Sequence, residues 1–130
     1  MGEPVPFEQG GETNPELILK FSPEISEAMS GFLNIARTDG PESLLAQEAV
    51  GRLHGTLQAE AETRGGEREP WYNAMIVFAY SEALEVNSEY LEMARDASND
   101  LLTVLSNLSD EEYKKLRHMP VIALAIGKKM

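Results

Sequence analysis

The chain has 130 residues, no cysteine, and 22 acidic against 11 basic side chains, a net charge of −11. That length fits one soluble domain around a single core, and the missing thiols exclude disulfides and thiolate metal sites. The charge sets phosphate backbones and anionic lipid surfaces against it, so neither direct nucleic-acid binding nor membrane binding is expected. No stretch approaches the ~20 apolar residues of a membrane span. With no charged-then-apolar leader, the expected location is the cytoplasm.

Residues 1–15 contain three glycines, three prolines and few large apolar side chains. They cannot offset the entropy of their own ordering and read as a flexible tail. The remainder, 16–130, reads as one helical domain, beginning with an apolar segment, Glu16 to Phe21, too short for periodicity to assign. Ser22 as cap, Pro23 at the first helical position and the spacing of Ile25, Ala28, Met29, Phe32, Leu33 and Ala36 predict an amphipathic helix over 23–37. After Thr38-Asp39-Gly40, Pro41 opens a second helix whose apolar face is Leu45, Ala46, Ala49, Val50, Leu53 and Leu57. Arg64-Gly65-Gly66 ends it. The short link between the two makes them antiparallel neighbours.

Between Trp71 and Met119 there is neither glycine nor proline. At ~100° per residue, one face is apolar from Ile76 to Leu108. Ser109 and Glu112 form an S-x-x-E capping box that restarts a helix, and Pro120 stops it. A straight helix from 71 to about 107 would be ~55 Å long, whereas a compact domain of this size is ~35 Å across. Either it breaks near Ala97-Ser98-Asn99-Asp100, where helix propensity is poorest, or it overhangs and buries the excess in a homodimer. The fold class is all-α: a small antiparallel helical bundle with one long central helix.

The acid excess is uneven, with nine acids and one base, Arg95, between Ser81 and Glu112. On a continuous wheel Glu82, Glu85, Glu89, Glu92 and Asp96 fall on one side, more than 90° from the centre of the apolar arc. They read as a solvated helix face or a surface for a basic protein partner. The Glu-x-x-His pairs of di-metal helical bundles do not occur, and Glu92 to Asp96 is one residue too long for the E-x-x-D half of a helical phosphohydrolase's magnesium site.

His54 and His118 lie in different helices, without spacing that suggests a nucleophile or ligand. Gly51 and Gly55 have the spacing that lets helix backbones approach closely. Asn87 and Ser98 fall on the apolar face, where a buried Asn87 needs a hydrogen-bond partner and could fix helix register. Trp71 and Tyr72 read as anchors at the start of the long helix. The run from Pro120 to Ile126, with Val121, Ile122, Leu124 and Ile126, must be covered, by its own bundle or as an apolar interface.

These features point to a non-enzymatic, acidic helical adaptor, regulator or inhibitor that binds protein partners and forms a homodimer, with no cofactor. The alternative is a Mg²⁺- or Mn²⁺-dependent all-α phosphohydrolase using the helix carboxylates. It requires Glu48, Glu60 or Glu112 to meet the acidic row across a cleft.

Overall fold

The computed structural model describes residues 22–116 together with Ile122 and Ala125. The tail 1–15, the segment 16–21, and His118, Val121, Leu124 and Ile126 lie outside the described residues. All regular structure among those described is helical: α1 (Pro23–Ala36), α2 (Leu44–Ala61), a 3₁₀ segment (Glu62–Glu67), α3 (Arg68–Val86), a 3₁₀ turn (Ser88–Tyr90), α4 (Leu91–Ser106) and α5 (Asp110–Leu116). No described helix is long and apolar enough to cross a membrane.

α1 starts as its sequence predicts. The Ser22 hydroxyl accepts from the Ile25 N–H at 3.3 Å, and Pro23 occupies the first turn, where its missing N–H costs nothing. α2 starts later than Pro41 suggests. Gly40 to Ser43 form a turn closed by the Ser43 N–H donating to the Gly40 carbonyl at 3.2 Å, and Pro41 takes the position in it that favours a fixed φ. Ser43 is the true cap, accepting from the Ala46 N–H at 3.0 Å while donating to Asp39 at 2.8 Å. Past α2 the chain reverses through Gly65, whose φ of 59° is open to glycine without strain. α5 begins with the expected capping box: the Ser109 N–H donates to Glu112 at 3.0 Å and the Glu112 N–H donates to Ser109 Oγ at 3.1 Å.

The long helix expected from Trp71 onward is interrupted, though not at Ala97–Asp100, which lie inside an unbroken α4. The break is at Asn87, extended at φ −158° and ψ 111°. Its Oδ1 accepts from the Glu89 N–H at 3.0 Å, so the side chain caps the following turn. Its Nδ2 donates to the carbonyls of Ala36 at 2.9 Å and Asp39 at 3.4 Å, among the groups that the end of α1 leaves unpaired. Tyr90 adds a bond from its hydroxyl to the Asp39 carbonyl at 2.9 Å. The chain thus doubles back, and α4 packs along α3. The end of α4 returns to the start of α3, where Leu108 lines a cleft with Arg64, Gly66 and Glu67. The overhang that suggested a subunit contact is absent, because the excess length folds into a hairpin.

The four longer helices among the described residues, α1 to α4, therefore run up, down, up and down, in two hairpins, α1–α2 and α3–α4. α3 is the central element, packed on each of the other three. It is buried around much of its circumference, including Trp71, Ala74, Met75, Val77, Ala79 and Ala83, as a helix enclosed by neighbours must be. Phe32 of α1, fully buried, meets Tyr80 edge-on at 5.9 Å and Tyr90 at 5.7 Å. Alanines 79, 83, 94 and 97 are all buried, and such small side chains let helix axes approach closely.

Ile122 is fully buried in the same core. This one residue of the expected apolar interface is therefore taken up within the chain's own bundle, out of reach of a second copy. Gly51 and Gly55 make no close approach: a Cβ at either would meet no atom within 4 Å, so the proposed helix contact is not formed within the described chain.

Candidate functional site

The five carboxylates of the acidic row are divided by the break at Asn87. Glu82 and Glu85 lie in the last turns of α3, Glu89 in the 3₁₀ turn, and Glu92 and Asp96 in the first turns of α4. A wheel that turns 100° per residue cannot be carried through an extended residue, so the single straight stripe does not exist. In its place the five residues are divided between the last turns of α3, the 3₁₀ turn and the first turns of α4, on either side of the elbow. Glu85, Glu89, Glu92 and Asp96 are exposed and Glu82 is half-buried. Glu89 reaches back over the α1–α2 turn, where a Cβ at Gly40 would strike its carboxylate. No three His, Asp or Glu side chains among the described residues stand close enough to hold a metal ion.

The acids that a metal-dependent reading would recruit lie elsewhere. Glu60 and Glu112 line a cleft of about 710 Å³ at the opposite end of the bundle, with Arg64, Glu67 and Lys115. From Arg68 to Glu82, at ~1.5 Å per residue, is on the order of 20 Å. Glu60 is already engaged by Arg64 at 3.3 Å, and the Arg64 guanidinium lies over the Trp71 ring at 4.3 Å. This contact fixes the start of α3, the role expected of Trp71. Glu48 is exposed beside a groove between α1 and α2. None of the three meets the row across a cleft.

His54 sits in a constellation that its sequence position does not reveal. Its Nε2 lies 2.8 Å from the Tyr80 hydroxyl and its Nδ1 lies 3.1 Å from the Tyr72 hydroxyl. In the neutral ring one nitrogen accepts from a phenol and the other donates to one, so the imidazole bridges α2 to two positions on α3 about two turns apart. Burial lowers the His54 pKa from its ordinary value. Burial also raises the Tyr72 pKa, and it pushes Tyr80 up to about 12 with help from Tyr72 and Tyr90. The tyrosines stay protonated, and no acid, nucleophile or metal ligand joins them among the hydrogen bonds of this group. The arrangement is a tie between helices.

No known protein family, curated protein or solved structure matches this chain.

The His54 tie predicts a pH dependence. In the unfolded chain the imidazole takes up a proton near its ordinary 6.5, whereas in the folded protein it does so only at lower pH. Its contribution is therefore complete above about 6.5 and declines as pH falls through that value toward the lower folded pKa. Urea midpoints measured from pH 7.5 to 5 should fall more steeply for the native protein than for His54→Gln. Parallel curves would mean that the ring is solvated as freely as in the unfolded chain.

Proposed function

We propose that this chain is a non-enzymatic interaction module, an acidic helical adaptor or inhibitor that docks a basic protein segment. The observation that carries the reading is that Glu85, Glu89, Glu92 and Asp96 are all exposed on the two arms of the α3–α4 hairpin near its elbow, with Arg95 as the one base in that stretch. Individual exposed ion pairs contribute only ~0.2–1 kcal/mol. A one-sided field still steers a cationic partner, so association should be fast and sensitive to salt. A second copy docked through this face would set like charges together, which favours a foreign partner over a homodimer.

The test is affinity capture from cell extract with the native chain and with Glu85→Gln, Glu89→Gln and Glu92→Gln combined. Exposed positions tolerate neutralisation, so the variant should fold as the native chain does. A discrete partner should be retained by the native chain, released at high salt, and lost with the triple variant. Equal retention by both chains, or no retained partner, would remove the reading.

A further inference from the structure

Five large apolar side chains stand exposed among the described residues: Leu44 at 79%, Leu45 at 58%, Leu91 at 40%, Leu102 at 39% and Val86 at 37%. Scattered exposed leucines are ordinary. Four of these five are not scattered. Leu44 and Leu45 are the first two residues of α2, Val86 is the last of α3, and Leu91 is the first of α4. They flank two turns that are bonded to each other, through Asn87 to the Ala36 carbonyl and Tyr90 to the Asp39 carbonyl. The exposed apolar surface is thus gathered at one end of the bundle.

The charge around that end identifies its occupant. Residues 37–48 carry Asp39, Glu42 and Glu48 against Arg37, and residues 82–96 carry Glu82, Glu85, Glu89, Glu92 and Asp96 against Arg95. A groove of about 220 Å³ between α1 and α2 opens beside Leu45, with Glu48 and Arg52 as its charged lining residues, the arginine paired with Glu27 at 3.3 Å. That is below the ~300–1,000 Å³ of small-molecule sites, but it offers a seat for single side chains. We infer that this end of the bundle docks an amphipathic basic helix, whose apolar face covers the four exposed side chains and whose lysines or arginines meet the surrounding carboxylates. A second copy of the chain, at net charge −11, would bring this acidic rim against itself.

The inference rests on the proposed adaptor reading and adds the apolar half of the surface. The probe is a fluorescein-labelled peptide of about 18 residues, built only of leucine and lysine with leucines at i, i+3, i+4 and i+7, compared with the same peptide carrying glutamate for lysine. By fluorescence anisotropy the full chain should bind the lysine peptide and ignore the glutamate one. Leu44→Ser, Leu45→Ser and Leu91→Ser together should weaken binding by about tenfold or more, with an unchanged melting curve, whereas Leu102→Ser should not. If the triple variant melts early, Leu44→Ser with Leu91→Ser, one from each turn, gives the same reading.

Unaltered affinity of the leucine variants would overturn the inference and leave the acidic adaptor standing, since charge alone would then bind the peptide. No binding of the lysine peptide even at about 50 mM salt would overturn both. A doubled mass in solution that the same leucine substitutions reduce to one chain would assign the surface to a second copy and overturn the inference as well.

Discussion

Replacing Tyr90 with alanine is expected to remove about 3–5 kcal/mol of stability, out of the 5–15 kcal/mol typical of a domain. The ring is fully buried against Phe32, and its hydroxyl donates to the Asp39 carbonyl at 2.9 Å. Truncation therefore opens a cavity beneath the α1–α2 turn and strips that carbonyl of its shorter bond at once. Burial, with the carboxylates of Asp39 and Glu89 nearby, raises the phenol's pKa, which keeps it a donor. Tyr90→Phe separates the two contributions. It preserves the packing and removes only the donor, at a cost of about 1–2 kcal/mol, because Asn87 still approaches the same carbonyl at 3.4 Å. Urea denaturation of both variants checks this, and a phenylalanine variant as unstable as the alanine one would show that the ring contributes nothing.

Asn87→Ala should have the second large effect, and of a different kind. The native side chain satisfies the Ala36 carbonyl and caps the turn at Glu89, and losing both should cost about 2–3 kcal/mol. Alanine is also the best helix former, and it would sit where the asparagine's bonds help hold the chain extended. The variant's α3 and α4 can therefore join into one straight helix. The displaced α4 would then pack on a second chain, which is domain swapping through a hinge. Light scattering should detect a dimer at high protein concentration in the variant and a smaller fraction, or none, in the native chain. A variant within about 0.5 kcal/mol of the native chain, with the native mass, would show that Asn87 does not hold the elbow.

What could be read from the sequence was decided locally. Ser22 with Pro23, and Ser109 with Glu112, act within three residues of each other, so capping chemistry places the starts of α1 and α5 directly. The apolar spacing of α1 and α2, and the glycines that end α2, likewise fixed an antiparallel all-α bundle. Pro41 misled because it is equally at home in a turn, and Ser43, two residues on, makes the better cap. Asn87 was visible as a polar residue needing a partner. That partner lies 51 residues away, and helix propensity is blind to such a bond.

The acidic row inherited that error. Helical spacing relates Glu82 to Glu85 within α3 and Glu92 to Asp96 within α4, but it cannot relate the two pairs through a helix that does not continue. The His54 tie escaped for the same reason, since Tyr72 and Tyr80 stand 18 and 26 residues off. The hint available was two tyrosines eight residues apart on the helix that follows. The asparagine followed by serine and glutamate was the missed signal for the elbow, because asparagine is among the strongest helix caps.

The central claim is that the chain reverses at Asn87, for this brings the α1–α2 turn, the exposed leucines and the carboxylates to one end. Because the chain has no cysteine, Glu69→Cys and Ser106→Cys can be spin-labelled cleanly, one exposed site near the start of α3 and one at the end of α4. Pulsed electron resonance should give an interspin distance below about 25 Å, as expected for neighbouring helices with axes ~8–10 Å apart. A distribution centred near ~55 Å, the length of an uninterrupted helix between those positions, would contradict the account.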